Sequence, residues 1–352
     1  MDRQKKIPVA VLGATGAVGQ RFVQLLADHP WFKLTALAAS ERSAGKLYRE
    51  VANWVISGDP PAGAGDMIVQ PLEPNLPAKL VFSAVPSSVA REVEPRFAQA
   101  GYAVCTNASA FRPVEDVPLL IPEVNADHTT MIIRQRAQRG WSGFIVASPN
   151  CTITGVVMAL KPLHEKYTVR QVFMASMQAI SGAGYPGVAS LDIMGNVVPY
   201  IPGEEEKFQQ ELSKMLGAVQ NGACTYADIV LSAHANRVPV VDGHTVSLSV
   251  GFETAPTVDE AIEVMRNYRG DSIIASLPSA PPRPLVVTTL PDRPQPRRDR
   301  DAEGGMAVTV GRVRPCPLLD LRMTTVTHNT LRGAASGAVL NAECLVAQGF
   351  VS

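Results

Sequence analysis

Three glycines, Gly13, Gly16 and Gly19 in the run GATGAVG, stand between a short apolar stretch and a helix-spaced one. Pro8 to Leu12 reads as a strand, Gln20 to Ala27 as a helix and Phe32 to Ala39 as a second strand. A strand, a glycine turn, a helix and a strand in that order imply parallel pairing, because the helix carries the chain back to the start of the sheet. Leu80 to Ala84, Tyr102 to Thr106 and Gly143 to Ala147 continue the alternation. The pattern predicts an α/β, doubly wound parallel sheet that ends near Ala147. After Cys151 the pattern changes. Val169 to Gln178 reads as a long strand, Val238 to Thr254 as a strand, a turn at Asp242-Gly243 and a strand, and Met306 to Arg314 as another. These predict an α+β second unit with a mostly antiparallel sheet. Pro281 to Glu303, rich in Pro, Arg and Asp, reads as a surface loop, and Asn329 to Gly349 as one helix.

With 352 residues the chain is long for one core and typical of two domains. Formal net charge is zero, with 46% apolar and 18% charged residues, so nothing marks a nucleic-acid or membrane-surface partner. No apolar run approaches the roughly 18 residues of a membrane span. The basic start MDRQKK followed by apolar residues resembles a signal peptide only superficially; the glycine-rich continuation reads better as a strand and turn. The five cysteines are odd in number and unclustered, without metal-ligand spacing. A reducing cytoplasm is the simplest compartment.

GATGAVG is GxxGxxG rather than GxGxxG, and alone it marks no more than a tight turn. After a first strand and before a helix, it is the setting in which backbone N–H groups hold a pyrophosphate. Gly13, Thr15, Gly16, Ala17 and Val18 would line it. The second strand ends in Ala39-Ser40, where an NAD site usually places an acid for the ribose hydroxyls. Ser40, Arg42 and Ser43 instead suit a 2′-phosphate, which points to NADP(H). Glu41 leaves a ribose contact open, as does a plain solvated loop.

Cys151 lies in SPNCTITG, between the last parallel strand and an apolar helical stretch, Gly155 to Leu163. A lone cysteine is more often a small core residue. At a strand-to-helix turn, however, helix N–H groups and the dipole favour thiolate, a nucleophile for acyl chemistry. Gln178, at a strand end before a glycine-rich loop, offers an amide to orient a carbonyl. Arg237 and His244 flank the expected turn, the one a planar fork for a carboxylate, the other a proton carrier near neutrality. Glu204 and Lys207 share a helix face, and Arg112 follows the fourth strand, where ligands bind in such sheets. Each taken singly is equally a solvated or structural residue. The other histidines receive no role.

Taken together, GATGAVGQRF, SERSAGK, NASAFR, SPNCTITG, QAISGAGYPG, NVVPYIPGEEEK, NRVPVVDGHT and HNTLRGAASGAVLNAE resemble aspartate-β-semialdehyde dehydrogenases of the archaeal and fungal branch. The likeness runs over nearly the whole chain, in family order. It implies an NADP-binding Rossmann domain over 1–149, completed by a C-terminal helix at 329–352 that returns to it. It implies a catalytic and dimerisation domain over 150–328, in a homodimer or homotetramer. Cys151 would be the nucleophile, Gln178 the residue that orients the acyl-enzyme, and His244 the general acid/base. Arg237 would bind the substrate α-carboxylate, Glu204 its amino group, and Arg112 and Lys207 the phosphate. Asn150 would contact substrate, and Ser83, Pro86, Ser181, Gly182 and Asn329 would contact the cofactor. No metal is implied. The implied reaction is NADPH-dependent conversion of L-4-aspartyl phosphate to L-aspartate 4-semialdehyde, which feeds lysine, threonine and methionine synthesis.

Some malonyl-CoA reductases resemble the same branch, but their substrate has no ammonium for Glu204. A nucleotide sensor without catalysis needs neither the thiol nor the Gln, Arg and His.

Overall fold

The computed structural model describes residues 6–352; residues 1–5, where the basic start and the first expected domain begin, lie outside the described residues. Five parallel strands form the first sheet: β1 (Ile7–Leu12), β2 (Phe32–Ala38), β3 (Leu80–Ser83), β4 (Ala103–Thr106) and β5 (Phe144–Ala147), in the order β2-β1-β3-β4-β5. Strands β3, β4 and β5 are buried along their whole length, as expected where helices cover both faces. The order reverses at β1, which puts the carboxyl ends of β1 and β3, and the glycine turn, at the crevice where such sheets bind ligands.

The second sheet is mixed: β6 (Val169–Gln178), β9 (Val230–Arg237), β10 (His244–Phe252), β11 (Leu285–Val287), β12 (Val308–Pro315) and β13 (Leu321–Thr327), in the order β11-β12-β13-β10-β6-β9. Between them, β7 (Ala218–Gln220) and β8 (Ala223–Thr225) make a separate two-stranded ribbon. The hairpin expected over Val238 to Thr254 is not formed. Val238 to Gly243 is a loop, and β9 and β10 flank β6 on opposite sides, parallel and antiparallel to it. Pro239 lacks the N–H that a ladder needs, and the apolar alternation that suggested the hairpin does not name a strand's partner.

Two further expectations change. Pro281 to Glu303 holds β11 and a short helix, Pro296–Asp299, and Arg300 Nη1 donates to the Asp242 carbonyl at 3.1 Å. The segment therefore buttresses the turn before His244. The C-terminal helix begins at Ala335 rather than Asn329. Its Ala338, Val339, Ala342 and Leu345 share a core with β1 and the Ala17–Leu26 helix, so it does return to the first sheet.

Helix Cys151–Tyr167 joins the two sheets and is buried over most of its length, with Glu165 and Lys166 exposed. It lies so close to β13 that a Cβ on Gly155 would fall 2.0 Å from Thr327 Oγ1. Gly155→Ala should therefore destabilise the protein by about 1–3 kcal/mol, the scale of overpacking. Adding Thr327→Ala should recover most of that in thermal unfolding, whereas equal unfolding of both variants would contradict the close contact.

Candidate active site

Three strand ends meet at one edge of the second sheet. Gln178 ends β6 and pairs with Arg237 at the end of parallel β9. On the other side of β6, Thr245 pairs with Met177, which places His244 at the start of β10 beside Gln178. The N-terminus of the Cys151–Tyr167 helix closes over this edge, and Cys151 Sγ lies 3.2 Å from His244 Nε2. Arg237, 7% exposed, donates from Nη1 to the Ala179 carbonyl at 2.8 Å. A Cβ on Gly182 would sit 2.8 Å from Arg237 Nη1 and 2.9 Å from His244 Cε1, so any side chain there would displace them. A Cβ on Gly333 would meet that of Cys151 at 2.8 Å. Asn329 ties the surrounding loops together, accepting from the Gly243 N–H and donating to Ser181 Oγ, both at 2.8 Å.

The Ala179 N–H donates to His244 Nδ1 at 3.0 Å. Nδ1 therefore keeps its lone pair, and in the neutral ring the proton is on Nε2, facing the sulfur. Burial first, then Arg237 and His328, depress the imidazole to about 3. Protonating Nδ1 would set two N–H groups against each other. The pair is thus not a thiolate–imidazolium pair, and His244 is arranged as a donor.

The standing thiolate expected at the helix start is corrected too. Burial and the Glu204 carboxylate push the Cys151 thiol up to about 11, against the opposing pull of Arg112, Arg237 and its own N–H. The helix also offers fewer donors than expected. Asn150 Oδ1 accepts from the N–H groups of Thr152 (2.7 Å) and Ile153 (3.4 Å), which leaves the Cys151 N–H for an oxyanion. Asn150 Nδ2 donates to both oxygens of Glu204, at 3.0 and 2.8 Å. Its amide is engaged at both ends, so it positions the site where a direct substrate contact was expected. Gln178 Nε2 reaches Glu204 Oε2 at 3.5 Å. Lys207 makes no ion pair among the described residues. Arg112 donates to Glu211 Oε1 at 3.2 Å and to the Asn107 carbonyl at 3.0 Å, while its Nε is buried without a protein partner.

At the first sheet, Gly13 has φ +76 and a Cβ there would lie 2.7 Å from the Ala84 carbonyl oxygen. Gly16 caps the Ala17–Leu26 helix without a side-chain bond, and a Cβ on it would meet nothing nearer than 3.5 Å. The N–H groups of Ala17 and Val18 stay open at that helix start, as an anion cradle requires. Thr15 is held from the side by Gln20, which donates to its carbonyl at 3.0 Å and also takes the Val55 N–H, a buried brace that the motif did not announce. Ser40 and Arg42 are exposed and Ser43 half-buried just past β2, and Pro86 is exposed at the next strand's loop. Ser83 is fully buried with its hydroxyl inaccessible, so at most its main chain faces the crevice. Glu211 is the site residue that sequence reasoning missed. It lies seven residues beyond Glu204, on the same face of the Glu205–Met215 helix.

The description "Semialdehyde dehydrogenase, NAD binding domain" matches residues 8–132, and "Semialdehyde dehydrogenase, dimerisation domain" matches 160–332. An aspartate-semialdehyde dehydrogenase of Archaeoglobus fulgidus is 50% identical over 97% of this chain and 99% of its own. This chain belongs to the aspartate-semialdehyde dehydrogenase family. The Schizosaccharomyces pombe relative is 44% identical over 97% and 99% of the two chains. The Candida albicans enzyme, solved with NADP, superposes with a TM-score of 0.91 at 40% identity, covering 98% and 99%. The Vibrio cholerae enzyme complexed with ASA gives 0.77 at 25% identity, covering 99% and 100%. The archaeal and fungal affinity read from the motifs agrees with these relatives.

Two measurements check the protonation states. In ¹⁵N-histidine NMR, His244 should show a lone-pair Nδ1 and a protonated Nε2, unchanged from about pH 5 to about pH 8; a titration near the ordinary value of about 6.5 would contradict this. Alkylation of Cys151 by iodoacetamide, followed on its peptide, should rise roughly tenfold per pH unit between about pH 7 and about pH 9. A plateau by neutral pH would mean a resting thiolate.

Proposed function

We propose that the protein interconverts L-4-aspartyl phosphate and L-aspartate 4-semialdehyde, with NADP(H), through a thioester on Cys151. The observation that carries the reading is the thiol 3.2 Å from a donor nitrogen whose tautomer is fixed, beside a buried Arg237. Its family membership and its relatives' names point the same way. NADP(H) fits the residues at the first sheet. The open Ala17 and Val18 N–H groups would take the pyrophosphate, while Ser40, Arg42 and Ser43 would take the 2′-phosphate. When bound, it supplies or accepts the hydride at the acyl carbon.

The protein's own groups do the rest. Cys151 attacks the acyl carbon, the C–O bond to phosphate breaks, and the thiol proton leaves with the phosphate as hydrogen phosphate, while Arg112 and Arg237 favour the anionic sulfur. The Cys151 N–H and His244 Nε2–H donate to the oxygen that gains charge there, the role a neutral imidazole can fill as an electrophile. Arg237 holds the α-carboxylate and Glu204 the ammonium. Glu204 already gathers Asn150 and Gln178, so the ammonium completes a set of donors around one carboxylate. Arg112, whose side chain keeps some exposure, and Lys207 take the phosphate, and Gln178 orients the thioester. Ser181, Gly182, Asn329 and Pro86 border the nicotinamide side.

We also propose the domain division stated at the outset, 1–149 with 329–352 and 150–328, a cytoplasmic setting, and self-association. The matched dimerisation domain supports an oligomer. The exposed Tyr185, Leu191, Met194, Val197 and Tyr200, together with Phe173 on β6, supply apolar surface for it, as a dimer or tetramer.

Purified protein should reduce NADP⁺ with L-aspartate semialdehyde in a phosphate-dependent way. Cys151→Ser should lose at least about 10³-fold in kcat, and Arg237→Leu should raise the KM for the semialdehyde about tenfold or more while sparing NADP⁺ binding. Absence of phosphate-dependent reduction, with NADPH oxidation by malonyl-CoA instead, would overturn the substrate and the Glu204 role together.

A further inference from the structure

The Glu205–Met215 helix turns a charged stripe toward the junction of the two sheets. Glu204, Lys207, Glu211 and Lys214 recur at three- and four-residue spacing and so lie along one face. The substrate reading uses the first two. Glu211 and Lys214 are buried, at 4% and 0% exposure, and have no part in it.

The two oxygens of Glu211 serve different loops. Oε1 accepts from Arg112 Nη1 at 3.2 Å, in the loop after β4. Oε2 accepts from the Asn150 main-chain N–H at 2.6 Å, in the turn after β5. One turn further along, Lys214 Nζ donates to the carbonyls of Arg112 (2.9 Å), Val114 (2.7 Å) and Val117 (2.8 Å). The guanidinium and the main chain of Arg112 are thus gripped from the same helix. A carboxylate this buried needs partners that offset the loss of water. Here those partners are the arginine and the residue immediately before the nucleophile.

We propose that Glu211 is a positioning residue that sets the separation of Arg112 from Cys151. With Oε1 on one guanidinium nitrogen and the Asn107 carbonyl on the other, the unpartnered Nε and the remaining N–H groups have a single orientation left. With Oε2 on the Asn150 N–H, that orientation is referenced to the start of the Cys151 helix. The inference rests on the reading of Arg112 as a phosphate-binding group.

Glu211→Gln tests it, because the amide can accept through one atom only and turns its NH₂ toward a donor. The KM for inorganic phosphate should rise at least about tenfold, the scale of one charge-assisted hydrogen bond. The KM values for semialdehyde and NADP⁺ should stay within about twofold, a split that loss of general stability does not produce. In an Arg112→Lys background the same substitution should add less than about twofold, since it acts through Arg112. An unchanged phosphate KM, or equal effects in both backgrounds, would overturn the proposal. If Glu211→Gln does not fold, Glu211→Asp, which keeps the charge but cannot span both partners, is judged by the same KM split. Wild-type protein without phosphate-dependent turnover would instead refute the acyl-phosphate reading. Glu211 would then still be testable by how far inorganic phosphate slows alkylation of Cys151 by iodoacetate in wild type and variant.

Discussion

Every polar atom of Asn150 is bonded inside the protein. Its N–H meets Glu211, its carbonyl accepts from Thr154, its Oδ1 caps the Cys151 helix, and its Nδ2 lies on Glu204. That residue joins the last strand of the first sheet to the helix that carries the nucleophile. Two of its four links run to the Glu205–Met215 helix, one to Glu211 past its middle and one to its cap, Glu204. The thiol, the arginine after β4 and the carboxylate beside Gln178 are consequently located relative to one another, although they come from segments far apart in the chain. Bonds of this kind to charged partners, when broken one-sidedly, cost roughly 1.5–3 kcal/mol each, so the arrangement is stiff where the chemistry needs fixed distances.

The electrostatics of the site describe a resting enzyme held in its less reactive form. Burial and a nearby carboxylate keep the thiol protonated, while a main-chain N–H and burial keep the imidazole neutral. Neutralising Glu204 with a substrate ammonium would remove one of the two influences that raise the thiol. Reactivity would then appear with the substrate in place, and a reactive thiolate would not stand exposed to oxidants between turnovers. The same geometry explains why His244, which resembled a general acid/base in isolation, is built to donate.

Much of this was legible in the sequence. The parallel sheet followed from apolar strands alternating with helical stretches. Cys151 at a strand-to-helix turn, Gln178 at a strand end, and the glycine cradle were visible because each depends on local order. What stayed hidden depends on tertiary partners. The ladder that separates β9 from β10 by β6 is invisible to period-two alternation, which says which face is buried and not who the neighbour is. Glu211 and Lys214 were not singled out, although a charged stripe at 204, 207, 211 and 214 was there to be noticed. The tautomer of His244 hangs on the Ala179 N–H, and the elevated thiol on burial by elements that arrive after residue 170. Pro281 to Glu303 has loop composition, yet Arg300 makes it part of the wall behind the catalytic turn.

The central claim is a covalent acyl-enzyme on Cys151, and it can be observed directly. Protein mixed with NADP⁺ and L-aspartate semialdehyde in phosphate-free buffer should release a burst of NADPH stoichiometric with acylation found on the Cys151 peptide by mass spectrometry. Added phosphate should then discharge the adduct and restore turnover. No adduct, or an adduct on another residue with continued NADPH formation, would contradict the account.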